Sequence, residues 1–500
     1  MTRAIFGPTF EEMLHPSVID PAIRQQAINA LTASPLDPIN LYNITWRGGD
    51  DQIKYEILPN ELTGVDANIV VLYGRDLPTG SHKVGAAYSV LAEALLFGQV
   101  DIDRHTVVWP STGNYGIGGA WVGGRVGARS IVVLPEGMSR ERFERIESYG
   151  AQVIKTPGVE SNVKEIYDKT WELRRDPQIR ILNQFEVMGN YRFHYHVTGN
   201  TIVELADELK QQGIGDGRVS AFCSAMGSAG TIAAGDRLKQ VWPDLRIVGL
   251  EPIQCPTLYN NGYGGHDIQG IGDKHVTWIH NVLNMGAIMC LDDIECKKGL
   301  QLMTSEAGQQ ALTRRYGVVE AKARQLATIF GISGVCNVLG AIKTAKHYQL
   351  GKRDVIVTIC TDAIDRYHSV MEEMARVYGE IDDARAVGYV EAIFHGAKTD
   401  WIKDGTPDVR RQWHNLKYFT WVEQQGKTVE ELDAQRDPEW WIEHQQLIPE
   451  MDARIKSARA AELDLLQDIH QAEAQLGEGK GISHHAAKKE ILGDRRESNG

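Results

Sequence analysis

Lys83 is the residue whose position most invites a chemical explanation. It ends the turn Pro78-Thr79-Gly80-Ser81-His82-Lys83, which follows the apolar run Ile69-Val70-Val71-Leu72. Pro78 and Gly80 favour a turn there. Apolar residues then recur at Val84, Ala87, Tyr88, Leu91 and Leu95, with Gly98 as a stop, so the spacing predicts a helix starting at the lysine. A helix N-terminus disfavours a cation. A lysine kept there suits another role, such as Schiff-base formation with a carbonyl. The ordinary reading is a solvated loop lysine, and the motifs that follow weigh against it.

Ser111-Thr112-Gly113-Asn114 follows the buried run Thr106 to Pro110, so Asn114 also falls at a strand end. Gly227-Ser228-Ala229-Gly230-Thr231 lies between a strand from Val219 to Ser224 and a helix reaching Lys239. Small residues at such a turn let backbone amides approach a phosphate; a tight packed turn is the equal alternative. It is no Walker loop, because no Gly-Lys-Ser/Thr follows. Gly116-Ile-Gly118 is no dinucleotide fingerprint, because Trp121 stands where the third glycine belongs. The run Val355 to Cys360 ends in Thr361-Asp362, a site candidate with a helix N-cap as the bland alternative. His194 and His196 alternate and have no third ligand nearby, so they read as loop or interface residues, and no metal is expected. His266 to Asp273 reads as a flexible loop.

These residues need a frame that brings strand ends together. Strands near 69–72, 106–110, 131–134, 219–224, 247–250 and 355–360 alternate with helices. That alternation predicts parallel βαβ units with ligands at the strands' carboxyl ends. Gln184-Phe185-Glu186 ends another short strand. The expected organisation is a helical arm (1–40), two αβα domains (41–187 and 188–385), a Trp-rich helical extension (386–476) and a disordered tail (477–500). Five tryptophans, Trp401, Trp413, Trp421, Trp440 and Trp441, imply that the extension packs. A formal net charge of −13 argues against nucleic acid or an anionic membrane as the main partner. The first residues lack the apolar core of a secretory signal. No stretch reaches the roughly 18 apolar residues that span a bilayer. Six cysteines without CxxC or His/Cys metal spacing read as small core residues in a reduced, cytoplasmic compartment.

Taken in order, these motifs resemble the cysteine synthase/cystathionine β-synthase family of pyridoxal-phosphate enzymes, the fold-type-II group that includes the tryptophan synthase β chain. The likeness spans about residues 38–380. It rests on Glu61-Leu-Thr-Gly-Val65, the Lys83 turn, Ser111 to Asn114, Pro135-Glu-Gly-Met-Ser139, Gln184-Phe-Glu186, Gly227 to Thr231, Gly249-Leu-Glu-Pro252, Gln269-Gly-Ile-Gly272 and Gly331-Ile-Ser-Gly334. It implies an α/β fold of two parallel or mixed-sheet αβα domains with the cofactor between them, plus a mostly helical C-terminal extension. Lys83 is similar to the Schiff-base lysine, and Asn114 to the partner of the ring hydroxyl. Gly227, Ser228, Ala229, Gly230 and Thr231 resemble the phosphate cradle. Ser111, Thr112, Gly113, Gln184 and Gly270 resemble the clamp on a substrate carboxylate. Thr361 or Asp362 stands where a hydroxyl residue usually faces the ring nitrogen.

His82 follows the tryptophan synthase form, Val84-Gly85 replaces the common Asp-Arg, and the C-terminal residues do not resemble the regulatory modules of cystathionine β-synthase. The resemblance implies β-elimination or β-replacement on a cysteine- or serine-like α-amino acid through an aminoacrylate, with room for a second nucleophilic substrate, in a homodimer or larger homo-oligomer. An ammonia-lyase, deaminase or racemase on the same scaffold is the alternative. From a different class, the alternative is a catalytically silent pyridoxal-phosphate-binding scaffold or sensor.

Overall fold

The computed structural model describes residues 4–461. The end of the expected extension and the tail from 477 lie outside them. Eleven strands are described in chain order: β1 Tyr55–Ile57, β2 Asn68–Tyr73, β3 Thr106–Pro110, β4 Arg129–Pro135, β5 Gln152–Thr156, β6 Ile179–Ile181, β7 Ala221–Ala225, β8 Arg246–Pro252, β9 Ala287–Leu291, β10 Val355–Cys360 and β11 Ile402–Asp404. They form a small sheet, β5-β4-β3-β6, and a large one, β1-β2-β10-β7-β8-β9-β11. The small sheet is parallel throughout. In the large sheet only the outer pairs β1–β2 and β9–β11 are antiparallel. Strands β2, β7 and β10 are almost wholly buried apolar runs, as a sheet covered on both faces requires.

The sheets redraw the expected division at 187. β1 and β2 come from the 41–187 segment, yet β2 pairs with β10 from Asn68–Val355 to Tyr73–Cys360. Hydrophobicity alone cannot choose between two sheets, because β2 is buried on both faces. The consequence is functional. Lys83 follows β2 and so starts from the large sheet, while Asn114 follows β3 and starts from the small one.

Helix Lys83–Leu96 packs on helices Asn114–Val126 and Met188–Phe193. Gly118 permits the first contact, since a Cβ there would lie 3.1 Å from the Lys83 carbonyl oxygen. Gly85 permits the second, since a Cβ would lie 2.0 Å from the buried Phe193 ring. Packing thus explains a glycine where the related family carries a charge. The 190–201 stretch also differs from the expected loop. It is one helical run with a π-helical turn at His194–Thr198. The wider π turn places His194 edge-on to the His82 ring, with centroids 4.9 Å apart.

The N-terminal arm is tied down. Thr9 and Glu12 form a capping box on helix Phe10–Leu14, and Asp452 accepts hydrogen bonds from the amides of Phe10 and Glu11. Pro21 opens helix Pro21–Ala33 rather than breaking it, because the first helical position has no amide to satisfy. In the extension Trp413, Trp421 and Trp441 are buried, while Trp401 is 38% exposed.

Gly85→Ala should lower stability by roughly 1–3 kcal/mol through overpacking against Phe193. The urea midpoint reads the loss, and an unchanged midpoint would mean that Phe193 yields without cost.

Candidate active site

Several loops leave carboxyl ends of parallel strands and converge, as open α/β sheets prescribe for ligand sites. They are the Lys83 turn after β2, Ser111–Asn114 after β3, the 227–231 turn after β7 and Thr361-Asp362 after β10. The loop carrying Gly270, after β8, joins them.

Lys83 is the first residue of its helix and is buried. Its Nζ donates to Ser228 Oγ at 2.9 Å. Burial pulls the amine down to about 8, against the pull of Asp273 and Glu160, which favour the cation. A lysine in that range presents far more neutral amine near neutral pH than an ordinary lysine, and the neutral form is the one that attacks a carbonyl.

Ser228 Oγ also accepts from Asn190 Nδ2 at 3.0 Å, and its carbonyl accepts from Thr277 Oγ1 at 3.0 Å. Next to it Ala229 holds φ +60°, a left-handed conformation uncommon outside glycine. Such a conformation persists where surrounding bonds hold it. Gly227 lies under the Gly270 carbonyl, 2.8 Å from where a Cβ would stand. Thr231 is buried and leads into helix Ala234–Val241. The turn therefore has the small residues and the fixed shape of an anion cradle.

Asn114 donates from Nδ2 to Asp362 Oδ2 at 2.6 Å, while its Oδ1 is buried and unpaired. Asp362 Oδ2 accepts a second bond from the Tyr367 hydroxyl at 2.8 Å; Oδ1 is unpaired. The Arg142 and Arg366 guanidinium groups stand 3.8 and 3.9 Å away. Asp362 therefore faces Asn114 and caps no helix, whereas Thr361 turns back to His82 Nε2 at 3.2 Å. Unpaired buried polar atoms on Asn114 and Asp362, opposite a buried amine, are what a polar cofactor ring would satisfy.

The residues expected to form the carboxylate clamp lie on these loops with contacts of their own. Ser111 Oγ accepts from the amides of Gly113 and Gly116, both at 2.8 Å, so its oxygen shapes its own loop. The Thr112 carbonyl accepts from Arg142 at 2.9 Å. Gln184 Nε2 donates to the Pro110 carbonyl at 3.4 Å, which anchors it beside the β3 end. Gly113 and Gly270 have positive φ, 145° and 101°. The Gly270 Cβ position lies 3.9 Å from Asn114 Nδ2, so that loop covers the asparagine.

Sequence reasoning missed Arg142, Glu160, Asn190 and Asp273. Arg142 is fully buried and links Thr112, Tyr367, Glu160 and Asp362. It sits in an ordinary amphipathic helix that carried no signal. Asp273 ends the loop read only as flexible. A cavity of about 1110 Å³ lies behind the lysine turn against Arg75, Gly80, Arg145 and Asp365, and Lys83 does not line it.

Comparisons with known proteins agree with this geometry. The family model described as "Pyridoxal-phosphate dependent enzyme" matches residues 60–362. A cysteine synthase of Staphylococcus aureus is 30% identical over 323 residues, 64% of this chain and 93% of the relative. Cysteine synthase B of Campylobacter jejuni is 31% identical over 297 residues, 58% and 87%. Among solved structures, a cysteine synthase of Entamoeba histolytica superposes with TM-score 0.55 at 21% identity, covering 68% of this chain and 92% of that one. An O-acetylserine-dependent cystathionine β-synthase of Helicobacter pylori gives TM-score 0.52 at 24% identity, covering 63% and 95%. The chain belongs to the pyridoxal-phosphate-dependent enzymes of the cysteine synthase/cystathionine β-synthase family.

Capture of pyridoxal phosphate by the cofactor-free protein should accelerate with pH with a midpoint near pH 8, where the Lys83 amine is half neutral, and level off above it. A rate still climbing toward pH ~10, the range of an ordinary lysine, would contradict the burial argument.

Proposed function

We propose that this enzyme removes or replaces the β-substituent of a serine- or cysteine-like α-amino acid, using pyridoxal phosphate. The observation that carries the reading is the buried Lys83 amine, lowered to about 8 and bonded to the Ser228 turn, together with the Asn114–Asp362 pair that ends strands of the two sheets. The cofactor, when bound, withdraws electrons from the substrate and makes the α-proton acidic and the β-group able to leave.

The chain's residues divide the work. Lys83 binds the cofactor and moves the proton at the α-carbon. Gly227, Ser228, Ala229, Gly230 and Thr231 take the phosphate with backbone amides and small side chains. Asn114 meets the ring hydroxyl. Thr112, Gly113, Gln184 and Gly270 orient the substrate carboxylate, with Ser111 shaping their loop. Asp362 serves the ring nitrogen: its unpaired Oδ1 and buried carboxylate favour a protonated partner. The second substrate is a nucleophile that adds at the β-carbon. The working form is a cytoplasmic homo-oligomer. Six buried free cysteines support a reducing compartment, and among the described residues no single helix is long and apolar enough to cross a membrane.

The test is a panel of β-substituted amino acids read for pyruvate, ammonia, sulfide and new amino acids. Loss of a β-group, abolished together with the visible cofactor band in Lys83→Ala, is the expected result. Racemisation or α-deamination without β-loss would favour the alternative reactions instead.

Asp362→Asn and Asp362→Ser should both alter the visible spectrum during turnover and slow it about 10²-fold or more, by analogy with other positioned proton partners. If both match the parent while Thr361→Val does not, Thr361 is the ring partner.

A further inference from the structure

Two acidic residues in the same chamber have no part in the reading above. Glu160 follows β5 and Asp273 follows β8, so they reach the site from different sheets. Both are buried, and all four carboxyl oxygens lack a hydrogen-bond partner. Gln269 Oε1, on the same loop as Asp273, is also buried and unpaired. Ionised carboxylates in such a place are expensive unless something occupies the space between them.

The loops that hold them are fixed. The Ser161 hydroxyl donates to the Gly264 carbonyl at 2.7 Å, and the Thr257 hydroxyl donates to the Asp273 carbonyl at 3.0 Å. Arg142 approaches Glu160 to 3.9 Å without a hydrogen bond, because its Nη1 is given to the Thr112 carbonyl. The Thr112 hydroxyl and Gly270 amide approach Glu160 without closing a bond. The pair thus adjoins the loops proposed to hold the substrate, and both carboxyls act electrostatically on Lys83.

Residues that follow each of the two acids in sequence line a cavity of about 560 Å³. Its wall includes Val163, three residues beyond Glu160, and Lys274, next to Asp273. Leu416, Phe419 and Thr420 of the C-terminal extension close the opposite side.

We propose that Asp273 and Glu160 form an acid–base pair for the β-carbon, and that they select a neutral, proton-bearing nucleophile over an anionic one such as hydrosulfide. This rests on the β-replacement reading above. The nucleophile is a neutral H–X. Its lone pair forms the X–Cβ bond, and its proton passes to a carboxylate of the pair. The electron pair of the Cα–Cβ double bond left by the departed substituent moves to Cα, which takes a proton from Lys83. An anion would meet two desolvated carboxyls and be repelled. Burial raises Asp273 to about 7 and Glu160 to about 8, so the pair holds about one proton near neutral pH and can both accept and donate. The charged and titratable groups facing them are Lys83 and Arg142, with Tyr167 and Cys255 also sensing Asp273.

The experiment gives the holoenzyme O-acetylserine with either pyrazole, neutral and protic, or sulfide. The parent enzyme should prefer pyrazole in kcat/KM, with a rate that rises through about pH 7. Asp273→Asn and Glu160→Gln should each lower the pyrazole-to-sulfide ratio about 100-fold, and Asp273→Asn should erase the rise. Without turnover, Asp273→Asn should move cofactor capture by the cofactor-free protein to lower pH, because Lys83 loses a carboxylate that favours its cation. If Asp273→Asn fails to fold, Glu160→Gln carries the same comparison. A parent that prefers sulfide, or variants whose ratio stays within about threefold of it, overturn the proposal while β-replacement stands. A parent that releases no β-group from any donor overturns both.

Discussion

A short hydrogen bond helps join the two halves of the site. Asn114 Nδ2 meets Asp362 Oδ2 at 2.6 Å across 248 positions of chain. One residue leaves the carboxyl end of β3 in the small sheet and the other leaves β10 in the large sheet. A buried carboxylate must be paired, and Asp362 is paired by Asn114 and Tyr367, with two guanidinium groups just beyond. Removing one partner from such a network typically costs about 3–5 kcal/mol. Arg142 also fixes Thr112, so the substrate loop, the helix Arg140–Ser148 and the turn after β10 are positioned as one unit.

The same residue type has opposite situations a short distance apart. Asp362 has donors on Oδ2 and cations nearby. Asp273 and Glu160 have none that bond, and burial pushes both upward. Environment, not residue identity, decides which buried acid is bonded and which is pushed toward holding a proton, as Asp273 and Glu160 are. Lys83 completes the balance. Burial lowers it while the two acids hold it up, so each of the three groups depends on the protonation of the others.

What the sequence made legible was local. Lys83, Asn114 and the 227–231 turn can be read because a strand, a turn of small residues and a helix start within a dozen positions. The alternation of strands and helices carried the α/β class for the same reason. The acid pair could not be read, because Glu160 and Asp273 meet only through folding of loops from two sheets. Nor could the sheet assignment of β2, whose uniformly apolar run fits either sheet. His194 illustrates a third limit: period-two spacing on a helix is misleading when a π turn widens it.

The C-terminal extension lies beyond the family match, yet it bears on the site through the backbone. Trp421 Nε1 donates to the Val276 carbonyl at 2.8 Å, and the buried Lys417 ammonium donates to the Trp278 carbonyl at 3.0 Å and to Gln435 at 2.6 Å. Those carbonyls belong to the segment that follows Asp273 and contains Thr277, the donor to Ser228. Burial drives Lys417 well below the ordinary lysine range, a cost that only a fixed set of acceptors and the Trp278 and Trp441 faces can offset. The segment is thus held on one side by the extension, while on the other Thr277 holds the Ser228 carbonyl next to Ala229. The tryptophans far from the lysine in sequence therefore reach, through backbone carbonyls, the segment that leads from Asp273 to the Gly227–Thr231 turn.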